Sequence, residues 1–143
     1  MIMTALDAEG VAELAAALRG AGLPTSDLTE AGRRFFRFGD EHGLIGYGGF
    51  EGLGPKRLLR SVVVPPDRRN AGAGGRMLAA LERAAADDGT THLFLLTTTA
   101  EPFFRRHGYA ALSRDAAPDA VSASAEFRNL CPASAAFMSK RLS

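Results

Sequence analysis

The chain has one cysteine, Cys131, among 143 residues. That excludes an internal disulfide framework and a cysteine-rich metal site, and it agrees with a reducing compartment. No stretch approaches about 18 consecutive apolar residues, so no membrane-spanning helix is expected. The opening MIMTALDAEGVAELAAAL carries acids where a secretory signal needs a basic region and then an unbroken apolar one. These absences together predict a cytoplasmic protein. Net charge is also scarce, +1 with both signs interspersed, which gives no reason to expect nucleic acid or an anionic membrane as partner. The three histidines, His42, His92 and His107, do not form a metal-ligand spacing, so no metal is expected. No internal repeat or low-complexity linker interrupts the chain.

What is present is ordinary in amount and specific in order. An apolar fraction of 46% and a charged fraction of 23% are near the averages for folded proteins. The length suits one domain, residues 1–143. Val11, Leu14, Ala15 and Leu18 recur at helical spacing, predicting a helix from Asp7 to Arg19 with Asp7 as N-cap and Gly20 and Gly22 as stop. A turn at Pro24 to Asp27 leads to a short helix or irregular arm from Leu28 to Gly32. An aromatic strand beginning at Arg33, a turn over Gly39–Gly43, and a strand over Leu44–Phe50 read as a hairpin. Lys56–Val64 follows as a third strand, so three sequence neighbours should pair antiparallel. A helix from Gly74 to Asp88, a strand from His92 to Thr98, a short helix from Glu101 to His107 and a strand from Tyr109 to Leu112 complete the pattern. A meander followed by β-α-β-α-β predicts an α/β mixed sheet with helices on both faces.

The junction VVVPPDRRNAGAGGRMLAAL carries the chemistry. Backbone N–H groups of a glycine-rich turn at a helix start point outward, and the helix dipole adds positive potential there. Gly72, Gly74 and Gly75 let the main chain approach a ligand, and Arg69 or Arg76 can add charge-assisted contacts. A Walker A loop is excluded because Gly74-Gly75-Arg76 lacks the Lys-Ser/Thr ending. A dinucleotide fingerprint fits as poorly, since its partner acid and spacing are absent.

Arg69-x-x-Gly72-x-Gly74 after a Val-x-Pro strand end resembles the coenzyme A pyrophosphate loop of the GNAT superfamily of acetyl-CoA-dependent N-acetyltransferases. Some thirty residues on, the segment from Leu95 to Tyr109 resembles that family's second motif, a strand and then a helix of the type Phe-aromatic-x-x-x-Gly-aromatic. Leu96-Thr97-Thr98-x-Ala100-Glu101-x-Phe103-Phe104 is similar to the acetyltransferase domain of N-acetylglutamate synthases. The chain resembles small arsenic-resistance-associated N-acetyltransferases still more closely, through Gly22 to Asp27 and the tail from Phe127 to Ala135.

The resemblance implies the GNAT fold, an antiparallel meander and then β-α-β-α-β with a splayed central strand pair. It implies acetyl-CoA as co-substrate, bound along Val62, Val63 and Val64 and by the loop residues Arg69, Asn70, Ala71, Gly72, Ala73, Gly74 and Gly75, with Phe104 beside it. Asn70 replaces a usual glycine, and asparagine tolerates a left-handed backbone. The acetyl group would lie near Ser61 and Val62. A small-molecule amine, amino-acid-like, would attack the thioester directly, held by Arg60, Thr98, Ser134 and Arg128. Where the synthase tail has Arg-x-Ser, this chain has Pro132-x-Ser134, and Arg128 could compensate.

Several assignments remain alternatives. Arg60 is expected on the strand face of Val62 and Val64, meeting either a substrate carboxylate or a structural one. Phe104 stands where many of these enzymes carry a proton-donating tyrosine, which leaves water, Thr98 or another group to protonate the thiolate. Glu51 and Glu101 are candidate bases through a water, or structural carboxylates. His107 reads as a helix cap with a phosphate contact. Cys131 reads as a small buried apolar residue, since one thiol cannot firmly hold a trivalent metalloid. Rival functions are a non-catalytic acyl-CoA sensor and acetylation of a protein or peptide amine. Exposed sheet edges make a homodimer conceivable.

Overall fold

Three phenylalanines on one strand set the layers. On β2 (Arg33–Asp40), Phe36 and Phe38 join one core and Phe35 another on the opposite side, as alternation along a pleated strand requires. A tight turn at Glu41-His42 follows, in which Asp40 accepts a hydrogen bond from the His42 N–H at 2.9 Å. The chain returns as β3 (Gly43–Glu51) and then β4 (Lys56–Val63), and both pairings are antiparallel. The turn is shorter than the expected Gly39–Gly43 because Gly39 and Asp40 stay paired, with Leu44 and Gly43.

The computed structural model describes residues 1–23, 25, 28, 32–52, 54–65, 67–68, 72–124, 127–128 and 135–142. The remaining elements are β1 (Ile2–Ala5), α1 (Ala8–Gly20), α2 (Ala73–Asp87), β5 (His92–Thr97), α3 (Glu101–Arg106), β6 (Ala110–Ala111), α4 (Asp119–Ser122) and β7 (Ala136–Arg141). Among the described residues these strands form one sheet in the order β1-β2-β3-β4-β5-β7-β6. Only β4 and β5 run parallel, and α2 supplies the crossover that a parallel pair needs. The mixed sheet expected from the sequence is present, with α2 and α3 on one face and α1 and α4 on the other.

The helices form where their signals lie. Asp7 caps α1 by accepting from the Gly10 N–H at 2.9 Å, and Leu14 and Leu18 are its buried residues. Helix α2 buries Met77, Leu78, Leu81 and Ala85, and burial of each of the three larger side chains contributes about 1.5–3 kcal/mol. Two strands lie outside the expected set. Strand β1 is four residues of mostly exposed edge, too short to carry an alternation. Strand β7 inserts between β5 and β6 with only Phe137 and Met138 fully buried before a charged end. The expected strand Tyr109–Leu112 shrinks to two residues because the Tyr109 ring turns into the core, where its hydroxyl donates to Glu82 at 2.9 Å. The arm before β2 falls largely outside the described residues, although Leu28 is buried against α1 and Phe35. No helix among the described residues is long and apolar enough to cross a membrane.

Gly46 on β3 shows how closely α2 lies on the sheet. A Cβ there would collide with the Val63 carbonyl oxygen and stand 2.9 Å from the Met77 sulfur. Replacing Gly46 by alanine should therefore destabilise the protein by about 1–3 kcal/mol. The expected readout is a lower urea midpoint with an unchanged m-value.

Candidate functional site

Strands β4 and β5 begin as neighbours and then part. Their parallel pairing covers Lys56–Leu58 against His92–Phe94 only, yet β4 continues to Val63 and β5 to Thr97. Among the described residues, the segments from Leu59 to Val63 and from Leu95 to Thr97 have no pairing across this gap. Strand β5 remains tied to β7 over its whole length. The opening therefore lies on the carboxyl side of two parallel strands, where ligands of open α/β sheets bind.

A bulge at the gap sets the geometry of β4. Tyr47 pairs with Val63 and Gly49 with Arg60, so β4 has one more residue than β3 over this span. Ser61 has φ 59°, the only positive value at a non-glycine among the described residues. A left-handed serine costs about 1–3 kcal/mol unless its surroundings hold it there. The extra residue also reverses the alternation of side chains. Leu59 faces α2, Arg60 faces away, and then Val62 and Val64 return to the α2 side while Val63 packs against the α1 core.

That reversal corrects the expected place of Arg60, which does not share a face with Val62 and Val64. Its guanidinium has no exposed side-chain surface and donates to Glu51 Oε1 at 3.1 Å. Glu51 is bridged in addition by Arg33 at 3.3 Å, and Arg60 lies 5.7 Å from the centre of the Phe35 ring. The structural-carboxylate alternative for Arg60 is thus the one its contacts support. Glu51, one candidate base, has its oxygens engaged by two arginines. Nothing in RSVVVPP, with no glycine or turn residue before the prolines, signals the bulge, so the face of Arg60 could not be read from the sequence.

The second half of the site is the start of α2. Gly72 is its N-cap with φ 71° and makes no side-chain cap, and the first turn holds no acid. Among the described residues, no N-cap side chain satisfies the leading N–H groups, and their potential favours an anion. The glycines beyond Gly72 also meet a packing demand. A Cβ at Gly74 would stand 3.2 Å from the Phe103 ring and one at Gly75 would stand 2.9 Å from the His107 ring. These two glycines bring α3 against the start of α2, and His107 is the C-cap of α3. Among the loop arginines, Arg68 is held by Asp40 and ties the end of β4 to the first hairpin. Arg76 reaches back along the helix start, its Nη1 4.0 Å from where a Gly72 Cβ would be. Arg69, Asn70 and Ala71 lie outside the described residues, as do Ser134 and Cys131.

The proposed proton carriers are placed as follows. Thr98 is exposed just past the end of β5. Glu101 opens α3 and bridges Arg105 at 2.7 Å. Phe104 is buried, edge-on to Phe103 at 5.1 Å and to Tyr109 at 5.5 Å. Neither of the two tyrosines replaces the missing hydroxyl. Burial and then the Glu82 carboxylate push the Tyr109 phenol far above its usual range. Burial and then Glu13 raise that of Tyr47, whose ring packs with α1. Arg128 is exposed beside Phe127, which meets Phe137 edge-on.

The Asp40–Arg68 tie has a measurable pH signature. Desolvation raises the Asp40 carboxyl, but the His42 N–H and Arg68 outweigh it and leave it below its free value of 3.8. A carboxyl lowered in the folded state adds stability above its unfolded value and loses it as pH falls through the folded one. Asp40→Asn should therefore be less stable than wild type at pH 7, and the difference in urea midpoint should shrink as pH falls below about 4.

The geometry is matched by known proteins. A family model described as an acetyltransferase (GNAT) domain matches residues 31–111. No curated protein matches the chain. N-acetylglutamate synthase from Neisseria gonorrhoeae, complexed with coenzyme A and L-arginine, has a TM-score of 0.76 and 20% identity, covering 98% of this chain and 33% of that one. The Mycobacterium tuberculosis protein solved with CoA and NLQ has a TM-score of 0.79 and 19% identity over 100% of both chains. An aminoglycoside 6'-N-acetyltransferase complexed with coenzyme A has a TM-score of 0.72 and 18% identity, over 100% and 98%. The chain spans about a third of the length of the synthase, 33%, and these likenesses bear on the fold. With more than half of its residues inside the family model, and with a strand pair that parts beside an uncapped helix start, the chain belongs to the GNAT acetyltransferase family.

Proposed function

We propose that this protein transfers the acetyl group of acetyl-CoA to the amine of a small, amino-acid-like substrate by direct attack. The observation that carries the reading is the gap between β4 and β5, opening beside the start of α2. A pantetheine arm is narrow, extended and rich in amides, so it can fill such a gap as a surrogate strand. Val62, Val63 and Val64 would supply its backbone partners. The coenzyme pyrophosphate would lie on the N–H groups from Gly72 to Gly75, with Arg69, Asn70 and Ala71 completing the loop outside the described residues.

The chemistry asks little of side chains. The amine nitrogen attacks the thioester carbon, the C–N bond forms, the C–S bond breaks, and a proton leaves nitrogen as the thiolate departs. Orientation and polarisation of the carbonyl are the main requirements, and a bulge leaves a backbone residue without its ladder partner at this point. With Phe104 lacking a hydroxyl and both tyrosines committed elsewhere, Thr98 or water is the proton donor in this reading.

For the acceptor, the likeness to the Neisseria synthase supports an amino acid, and the exposed Arg128 with Ser134 are the groups proposed for its carboxylate. Arg60 is left out of that role in this reading because it is paired with Glu51. The absence of a tyrosine acid favours a second reading, a coenzyme-binding sensor without turnover.

A panel of amino acids and their decarboxylated amines, followed by thiol release, separates these. Turnover with at least about tenfold preference for the carboxylated member is expected, whereas tight coenzyme binding with no thiol release on any amine would favour the sensor. Gly72→Val, which forces a β-branched residue into a left-handed position, should weaken coenzyme binding by about tenfold.

A further inference from the structure

The bulge at Ser61 is held by a device built from charged residues. Ser61 Oγ accepts a hydrogen bond from Arg60 Nε at 3.1 Å. The same guanidinium donates through Nη1 to Glu51 at 3.1 Å, and Arg33 bridges Glu51 from β2. Three adjacent strands thus converge on one strained serine. A serine in this backbone conformation would relax to an extended one if released. Relaxation would slide β4 by one residue against β3, and a one-residue slide exchanges the faces of every side chain beyond it. Val62 would leave α2, and the backbone facing the gap would be replaced.

We propose that Glu51 and Arg60 are positioning residues for acetyl transfer, locking Ser61 in its left-handed conformation so that β4 presents the bulged backbone to the thioester. The proposal rests on the acetyl-transfer reading above. Its logic is geometric: Arg60 acts through its hydrogen bond to Ser61, and Glu51 acts through Arg60. The buried carboxylate and guanidinium then have a reason to be charged. A neutral pair could fill the space, but a guanidinium has several donors in one rigid plane, which lets it hold a carboxylate and a hydroxyl together.

The test uses a rescue that mere packing would not show. Arg60→Lys keeps the charge facing Glu51 but lacks the Nε–H donor, so kcat should fall by about tenfold with coenzyme affinity unchanged. Glycine adopts the left-handed conformation without a side-chain penalty, so adding Ser61→Gly should lift the double variant to within about twofold of Ser61→Gly alone. If Arg60→Lys fails to fold, Glu51→Gln serves in the same cycle. A folded double variant that turns over no faster than Arg60→Lys overturns the proposal. So does a rise in amine KM at unchanged kcat, which would mark Arg60 as an acceptor ligand.

Amide hydrogen exchange across residues 60–63 tests the lock independently of turnover. Exchange should accelerate by about tenfold in Arg60→Lys and recover in the double variant. Wild-type protein that acetylates no amine, with variants that show this exchange pattern, sinks the transferase reading and keeps the lock. Unchanged exchange in Arg60→Lys sinks the lock.

Discussion

The one-residue slip between β3 and β4 is the constraint on which the site depends. Three residues of β4 pair with β5 before the strands part, and the slip falls just beyond them, between Arg60 and Val63. Because the pleat has period two, this one residue decides which side chains meet α2 and which meet α1. It sends Val62 to Leu81's side of the sheet, where Gly48 leaves room, a Cβ there being only 2.7 Å from Leu81. Gly46 does the same for Met77 one step away. The glycines of β3 are thus the complement of the bulge in β4: one strand gives up side chains where the other is displaced.

Two groups of charged residues on the first four strands are kept apart by the sheet. On the α2 side, Arg34 and Arg57 share the Asp88 carboxylate and lie over Phe50, fastening the end of α2 to the meander. The Arg57 guanidinium, by hydrogen bond and charge, holds that carboxyl below its ordinary range. On the other side, Arg33 and Arg60 enclose Glu51. Removing one member of such a buried pair typically costs about 3–5 kcal/mol because the other is left charged and desolvated, whereas replacing both by apolar groups is often neutral. Stability alone therefore does not account for the second group, and its contact with Ser61 gives it a task that apolar residues could not perform.

Most of the frame was legible in the sequence because it is written in local signals. The hairpin shows in β2 and β3, α1 in its Asp7 cap, and α2 in its buried stripe. The expectation of a coenzyme loop comes from family likeness rather than from spacing, and its residues lie within the span that the family model matches. What escaped is non-local. Strand β1 exists because β2 offers it an edge, and β7 because the sheet has a place between β5 and β6. The bulge escaped for the same reason, since a serine before three valines reads as a regular strand until the partner strand is known. With the bulge went the face of Arg60.

The start of α2 shows why a glycine motif is an ambiguous text. Gly72 needs its freedom for a positive φ, whereas Gly74 and Gly75 need theirs to seat Phe103 and His107. Both demands serve one end. A side chain on Gly74 or Gly75 would push α3 away, and α3 carries Phe104 into the core behind the gap. Packing of α3 on α2 and the backbone conformation at the start of α2 are therefore coupled through the same three glycines. The neighbouring helix, through Phe103 and His107, thus fixes where the first turn of α2 stands.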